Sequence, residues 1–238
     1  MPESIITSLD DGLYTILLNN PAKHNCMGLE MLNQLREAVQ EAAKEENARV
    51  VLIRGAGHKS FSTGANLKEF NALRGKEIDH WILLGHEIFY ALESLPIPTL
   101  AYVQGYAMGG GLELALSCDF RVATADALFS FPEVSHGWLP GWGGITRIHR
   151  LLGEAQAKKM ILLSESVNGE RAFEMGLVTK LLDDADQLEA NLQGFIDQLM
   201  AIDPGTYKLA KAALKMSAGN SQKDQYFDVL ATHAAKQK

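Results

Sequence analysis

The sequence has little cysteine and no long apolar run. Cys26 and Cys118 are its 2 cysteines, far apart and outside any CxxC pattern, which favours buried reduced thiols over a disulfide framework. No apolar run approaches the ~18–20 residues that a membrane-spanning helix needs. Residues 1–4, Met-Pro-Glu-Ser, are polar and acidic, unlike a signal peptide. We therefore expect a cytoplasmic protein that does not enter a membrane.

An excess of basic residues is also missing. The 22 Lys and Arg residues against 29 Asp and Glu residues give a formal net charge of −7, which argues against a general nucleic-acid-binding surface. This charge still allows a small basic pocket for one anionic ligand. With 238 residues, 47% of them hydrophobic, the chain can bury a large core. No linker or repeat divides it, so we expect a single domain over residues 1–238.

Several common site motifs do not occur in the sequence. Gly55-x-Gly57 follows a predicted strand, but Ser60 occupies the third glycine position and no helix begins there, which argues against a dinucleotide-binding fingerprint. There is no P-loop motif, no GxSxG nucleophile elbow and no HExxH pair. We therefore expect no nucleotide-binding P-loop, no serine-hydrolase elbow and no metal site.

The first half of the chain alternates β-like and helical segments. Two β-like runs over residues 5–9 and 13–18 surround Asp11-Gly12, which is a hairpin turn signal. Apolar residues at helical spacing predict a helix over about 28–46. A buried strand over 49–54 and a polar loop over 55–65 come next. The later predicted elements are a helix over 78–95, a strand over 99–103, a helix over 112–116 and a strand over 120–123.

The pattern changes after Gly143. Helices are predicted over 143–163, 168–175, 185–200, 204–217 and 221–235, with one strand-like segment over 177–181. Strands that alternate with helices indicate α/β crossover units. We therefore expect an α/β core over residues 1–182, followed by a helical region over 183–238.

Two glutamates lie in or near glycine-rich segments. Gly109, Gly110 and Gly111 separate a strand from a helix, where uncovered amides would form either an oxyanion site or a tight turn. Glu113 stands in the first turn of that apolar helix, either partly desolvated or facing water. Glu133 follows 20 residues later, directly after a proline. Together the two carboxylates form a coherent acid–base set. The alternative interpretation of each glutamate is an ordinary solvated side chain.

Four motifs in this order carry a family resemblance. They are Gly64-Ala65-Asn66, the Gly-Gly-Gly-Leu-Glu of residues 109–113, Glu133 after proline, and the Pro-Gly-Trp-Gly-Gly of residues 140–144. The combined pattern resembles the crotonase superfamily, specifically the enoyl-CoA hydratase/isomerase family, from about residue 5 to about residue 215. The resemblance implies an α/β fold with a crotonase-like ββα-superhelix core. The C-terminal helical region, shortened here, would serve trimerisation.

The resemblance implies a reaction and four catalytic positions. The backbone amides of Ala65 and Gly110 would polarise a thioester carbonyl, Glu113 would activate a water and Glu133 would protonate the α-carbon. The implied activity is reversible addition of water to a 2-enoyl-CoA. The alternatives are an enoyl-CoA isomerase, a decarboxylase or thioester hydrolase of the same fold, and a non-catalytic oligomeric scaffold.

The resemblance also implies how the substrate is held and which partners are involved. Coenzyme A enters as part of the thioester, so no separate cofactor is expected. Lys23 and Lys68 would lie near the CoA moiety; the alternative interpretation is that both are solvated surface cations. The expected partners are an acyl-CoA or acyl-carrier-protein thioester and further copies of the chain, as a homotrimer or a dimer of trimers, without nucleic acid or membrane. The implied substrate-binding residues are Lys23, Ala65, Asn66, Leu67, Lys68, Gly110, Gly141 and Trp142.

Four features depart from the family pattern. Asn66 replaces the loop aspartate, and we expect activity to survive because the oxyanion donor is the neighbouring backbone. Trp138 and Trp142 either pack against the helical tail or narrow the acyl pocket. His136 is either a surface histidine or an added acid–base group. Residues 234–238 lack the family's C-terminal basic cluster, which implies a weaker grip on CoA or a carrier-protein substrate.

Overall fold

The computed structural model describes residues 3–182 and 187–217, which fold as alternating strands and helices. The strands are β1 (Ile5–Asp10), β2 (Leu13–Leu18), β3 (Val50–Gly55), β4 (Ser60–Ser62), β5 (Thr99–Val103), β6 (Tyr106–Met108), β7 (Phe120–Thr124), β8 (Leu128–Ser130), β9 (Val167–Asn168) and β10 (Lys180–Leu182). The α-helices are α1 (Leu29–Lys44), α2 (Leu67–Ala72), α3 (Lys76–Glu93), α4 (Gly110–Leu116), α5 (Gly144–Leu162), α6 (Gly169–Glu174), α7 (Leu188–Met200) and α8 (Pro204–Ser217). Two short 3-10 helices cover Pro21–Lys23 and Val134–His136.

The strands form two sheets. The larger sheet has the order β1-β2-β3-β5-β7-β10, in which β1 and β2 are antiparallel and the other pairs are parallel. The β1–β2 turn places Asp11 at φ 42° and Gly12 at φ 84°, the positive-φ backbone that the Asp-Gly signal predicts. The smaller sheet has the order β4-β6-β8-β9.

A repeated unit connects the two sheets. Each of β3, β5 and β7 lies in the larger sheet and is followed by a short strand of the smaller sheet, β4, β6 or β8, and then by a helix. This strand–strand–helix succession confirms the expected α/β fold with a crotonase-like core. It also places the segments after β4, β6 and β8 beside one another, because these three strands are neighbours in the smaller sheet.

The central strands of the larger sheet, β3, β5 and β7, are buried on both faces. In β3, Val51 and Ile53 belong to a core cluster that also contains apolar residues of α1, α3 and α4, while Val50 and Leu52 pack in a second cluster with α7. The alternation follows from the two-residue period of a strand. A strand covered on both sides reads as a continuous apolar run, as residues 50–53 do.

Most long elements match the prediction, and the short ones account for the differences. The strand predicted over 99–103 is β5, whereas the loop predicted over 55–65 contains β4 and the strand predicted over 177–181 begins only at Lys180. The prediction missed α2, β6, β8 and β9. The helix predicted over 221–235 lies outside the described residues, and the boundary between a core over 1–182 and a helical region over 183–238 stays a prediction.

We expect reduced cysteines and no membrane-spanning helix. Cys118 is buried, Cys26 is half-buried, and both are free thiols. Within residues 3–182 and 187–217, no helix combines the length and the apolar character that crossing a membrane requires.

Helix α8 is attached to the core through Asp119, in the turn before β7. Asp119 Oδ2 accepts hydrogen bonds from the amide and the hydroxyl of Thr99, both at 2.9 Å. It also accepts from the Tyr207 hydroxyl at 3.0 Å and from Lys211 Nζ at 2.6 Å. Burial and the nearby Asp119 charge both raise the pKa of the Tyr207 hydroxyl. One carboxylate oxygen therefore joins the start of β5 to two side chains of α8.

We predict that Asp119→Ala weakens this attachment. The substitution removes the acceptor of the Thr99 amide and the anionic partner of the half-buried Lys211 ammonium, which among the described residues keeps only the Ile97 carbonyl. The free energy of unfolding should therefore fall by about 2–4 kcal/mol. Chemical denaturation measures the change, and limited proteolysis should cut α8 first. Tyr207→Phe removes one donor and should cost about 1 kcal/mol. The exposed Asp126→Ala is the control, and an equal effect of Asp126→Ala and Asp119→Ala would contradict the assignment.

Candidate active site

A cavity of about 120 Å³ lies where the loops after β4 and β8 meet α3 and the start of α4. Its walls are largely apolar and aromatic, and two carboxylates enter it. The lining residues are Thr63, Ala65, Leu67, Phe70, Trp81, Ile82, Gly109, Gly110, Glu113, Pro132, Glu133, His136, Trp138, Leu139, Gly141 and Trp142.

The two backbone amides predicted to form an oxyanion site, those of Ala65 and Gly110, lie on neighbouring loops. Gly110 is the first residue of α4, so its amide precedes the helical hydrogen-bond ladder. Met27 and Ala65 form an isolated β-bridge through two hydrogen bonds. The Met27 amide donates to Gly64 O at 2.7 Å, and the Asn66 amide donates to Met27 O at 2.9 Å. The Ala65 amide takes no part in that bridge. Within the described ranges, neither the Ala65 nor the Gly110 amide donates to a protein acceptor.

Gly64 lets these two amides come together. Its φ is 84°, and a Cβ there would lie 2.6 Å from the Gly110 nitrogen and 2.8 Å from the Met108 oxygen. Gly111 is equally constrained, because a Cβ on it would lie 2.1 Å from Ser62 O. The glycines of both motifs are therefore required for close contact between two backbone segments, and the oxyanion interpretation stays a prediction.

Glu113 is buried and held by the start of α5. The residue is 2% exposed, which confirms the expected desolvation. Its Oε1 accepts hydrogen bonds from the Trp142 amide at 2.8 Å and the Gly144 amide at 2.7 Å. Because Gly144 is the first residue of α5, the carboxylate also lies at the positive end of a helix dipole. Gly144 leaves the necessary space, since a Cβ on it would lie 2.8 Å from Glu113 Cγ.

Glu133 enters the same cavity in a different environment. The residue is half-buried as a whole, but its Oε2 is buried and has no hydrogen-bond partner among the described residues. Burial raises the pKa of Glu133 to about 7. Gly109 makes the close approach possible, because a Cβ on it would lie 2.5 Å from Glu133 Oε1. One carboxylate of the pair is thus anchored by two amides, while the other has a free oxygen and an elevated pKa.

The predicted substrate-binding residues divide into two groups. Ala65, Leu67, Gly110, Gly141 and Trp142 line the cavity; Lys23, Asn66 and Lys68 are not among its lining residues.

The side chain of Asn66 has a structural position of its own. It caps α2 by accepting from the Lys68 amide at 3.2 Å, and its Nδ2 donates to Glu69 Oε1 at 2.6 Å. Glu69 Oε2 in turn accepts from the Leu29 amide at the start of α1. An aspartate at position 66 could not make the bond to Glu69. Lys23 and Lys68 are exposed, and their contact with substrate stays a prediction.

Both tryptophans of the loop before α5 pack toward α2 and α3. Trp142 has ring contacts with Trp81 and Phe89 of α3, with centroid distances of 5.8 and 5.5 Å. Trp138 meets Phe70 of α2 at 5.2 Å. Of the two predicted alternatives, the described contacts favour narrowing of the pocket over packing against the helical tail.

Sequence reasoning missed the wall that α2 and α3 contribute. Phe70, Trp81 and Ile82 are ordinary apolar residues at helical spacing, so the sequence gives no sign that they face a cavity. The existence of α2 was detectable, because Asn66 followed three residues later by Glu69 is a helix-start signature. His136 is exposed, as expected for a surface histidine, yet it also lines the cavity.

Across the described part of the chain, no group of three or more His, Cys, Asp or Glu side chains is placed to hold a metal ion.

Known proteins resemble this chain over most of its length. A family model described as enoyl-CoA hydratase/isomerase matches residues 9–236. The crotonyl-CoA hydratase of Syntrophomonas wolfei is 32% identical over 211 residues, covering 89% of this chain and 81% of that protein. The short-chain-enoyl-CoA hydratase of Clostridium acetobutylicum is 31% identical over 214 residues, covering 89% and 80%.

Solved structures give the same result. The enoyl-CoA hydratase of Bacillus anthracis superposes with a TM-score of 0.85 at 30% identity, covering 98% of this chain and 90% of that one. An enoyl-CoA hydratase from Mycobacterium avium subsp. paratuberculosis gives a TM-score of 0.90 at 26% identity, covering 99% and 94%.

We predict that Glu133→Gln stabilises the protein at neutral and higher pH. The unfolded side chain loses its proton near pH 4.5, whereas the folded one keeps it to about pH 7. The native state therefore binds more protons in this window, and its stability falls as pH rises through it. Glutamine removes this penalty, which is at most about 3 kcal/mol above pH 7 and absent below about pH 4.5.

Denaturant unfolding at several pH values measures the effect. The difference between Glu133→Gln and wild type should grow between pH 4.5 and pH 7. The exposed Glu46→Gln should show no such trend. A pH-independent difference, or a loss of stability in Glu133→Gln at pH 8, would contradict the prediction.

Proposed function

The chain belongs to the enoyl-CoA hydratase/isomerase family, and we propose that it adds water reversibly across the double bond of 2-enoyl-CoA thioesters. The observation that carries this proposal is the convergence of four groups on one cavity: the Ala65 and Gly110 backbones and the Glu113 and Glu133 carboxyls. Hydration needs donors that stabilise negative charge on the carbonyl oxygen, a base and an acid. The two amides would supply the donors, and the two carboxyl groups would supply the base and the acid.

The two amides would bind the thioester carbonyl oxygen. Attack of water on the β-carbon moves an electron pair onto that oxygen and produces an enolate-like state. Donors already in place for the charge stabilise it without reorganisation, each by about 3–4 kcal/mol in measured oxyanion holes. Backbone amides suit this purpose, since the contact of Gly64 with Gly110 fixes their positions.

The glutamates would act on the water and on the α-carbon. Two N–H donors to one oxygen stabilise the ionised form of a carboxyl group, so Glu113 is suited to orient the water and take its proton as the hydroxide adds to the β-carbon. Glu133, with a pKa of about 7, holds a proton at neutral pH in a large fraction of molecules. It is suited to deliver that proton to the α-carbon as the enolate collapses. Both new bonds, C–O and C–H, are then accounted for.

The scheme uses CoA only as the carrier of the acyl group, without a further cofactor. Exposed Lys23 and Lys68 would meet the phosphates of the nucleotide, while Asn66 and Leu67 would flank the pantetheine near Ala65. An acyl-carrier protein could present the same thioester. The curated relatives named above act, by their names, on crotonyl and short-chain enoyl groups, and we extend that substrate class to this chain.

We also propose that the chain is cytoplasmic and works as a homotrimer or a dimer of trimers. Exposed apolar side chains on α8 support the assembly, because Leu209 is 72% and Leu214 is 71% exposed. A neighbouring subunit would remove this apolar surface from water.

We predict that Glu113→Gln and Glu133→Gln each lower kcat for crotonyl-CoA hydration by about 10²–10⁴-fold, because each loses one proton-transfer group. Loss of the ultraviolet absorbance of the conjugated thioester measures turnover. The double variant should be little worse than either single one, since the two groups act as a unit. Glu46→Gln is the control.

The same assay separates the alternatives. Formation of the 3-hydroxyacyl thioester identifies a hydratase, and a shift of the double bond in a 3-enoyl-CoA identifies an isomerase. Release of free CoA indicates a hydrolase. Near-normal hydration by either glutamine variant, or no turnover of any enoyl-CoA by the wild type, would overturn the proposal.

A further inference from the structure

The indole of Trp142 fills the space between α3 and the start of α4. A Cβ on Gly85 would lie 2.2 Å from Trp142 Cδ1, and a Cβ on Gly110 would lie 2.4 Å from Trp142 Cζ3. The ring is therefore in contact with a glycine on each side, and Trp142 is 3% exposed. No substrate atom can pass between α3 and α4 while the ring is there.

Four contacts hold the ring in this position. Its Nε1 donates to Trp81 O at 3.3 Å, and its own backbone amide donates to Glu113 Oε1 at 2.8 Å. The ring also packs against the aromatic rings of Trp81 and Phe89. Rotation of the indole out of the cavity would break a hydrogen bond and both aromatic contacts. Trp142 is thus a rigid part of the wall.

The wall stands beside the reacting end of the substrate. Under the proposed function, the carbonyl oxygen binds at the Gly110 amide, and Trp142 touches that same residue. The cavity of about 120 Å³ is comparable to cavities that hold one benzene-sized group, which is on the order of six carbon atoms. An acyl chain bound there has room for only a few carbons before it reaches the wall of the cavity, and the indole is part of that wall.

We infer that Trp142 sets the acyl-chain length, and that Gly85 is the residue that makes room for its ring. The inference rests on the proposed hydratase function and adds the residues that limit the substrate to straight 2-enoyl thioesters of about four to six carbons. Gly85 determines the position of the indole, because any side chain at that position in α3 pushes the ring toward the cavity.

The test compares kcat/KM for crotonyl-, 2-hexenoyl-, 2-octenoyl- and cinnamoyl-CoA in the wild type and in variants. The wild type should prefer crotonyl- and hexenoyl-CoA. Trp142→Ala should raise the octenoyl-to-crotonyl ratio by at least about 10–100-fold, because octenoyl is about four carbons longer and a single methylene gives discrimination of that size in apolar pockets. Trp142→Phe should give a smaller change in the same direction.

Gly85 supplies the sharper test. Gly85→Ala should lower the hexenoyl-to-crotonyl ratio by about tenfold, because the displaced indole shortens the cavity. In the double variant Gly85→Ala/Trp142→Ala this effect should vanish, since no indole is left to move. Gly194→Ala is the matched control: it changes a helical glycine of α7 with no heavy atom within 4 Å of the added Cβ.

The outcomes separate this inference from the function on which it rests. A wild type that hydrates octenoyl- or cinnamoyl-CoA as well as crotonyl-CoA would overturn the length limit but leave the hydratase function. If Gly85→Ala changed the hexenoyl-to-crotonyl ratio equally in the wild type and in the Trp142→Ala background, the role assigned to Gly85 would be overturned. A wild type that hydrates none of the four would overturn the function itself. If Trp142→Ala does not fold, as judged by circular dichroism, Trp142→Phe and Gly85→Ala carry the same comparison.

Discussion

Two stretches of backbone, around Gly64 and around Gly110, lie against each other with no side chain between them. Any Cβ on Gly64 would reach within 2.6 Å of the Gly110 nitrogen, so the contact depends on hydrogen at that position. The contact exists because β4 and β6 pair in parallel and both chains leave the smaller sheet at the same edge. The positions of the two amides, the direction of α4 and the location of Glu113 one turn later all follow from this approach.

The two carboxyls of the cavity differ because their surroundings differ. Two amides at the start of α5 fix one oxygen of Glu113, while a buried oxygen of Glu133 has no donor within the described residues. Burial raises the pKa of Glu133 to about 7, and a backbone hydrogen bond offsets this only in part. An identical pair of side chains can therefore divide acid and base work at neutral pH, since the fold compensates the charge of one more fully than that of the other.

Local sequence signals were enough for the long elements: the run at 99–103 became β5 and the Asp-Gly signal became the first hairpin. The grouping of Ala65, Gly110, Glu113 and Glu133 was implied by the family resemblance and not by any local signal. Strands of two or three residues, such as β6 and β8, are too short to show a period and exist only because distant segments pair. The same holds for the apolar wall. Nothing local to Trp81 distinguishes a pocket residue from a core residue.

Trp142 belongs to two systems through different parts of one residue. Its main-chain nitrogen supports Glu113, while its ring bounds the acyl space. Because every amino acid except proline offers the same nitrogen, position 142 can diversify without loss of that support. Substitutions at position 142 can therefore change the size of the accepted substrate during evolution while the reaction itself is retained.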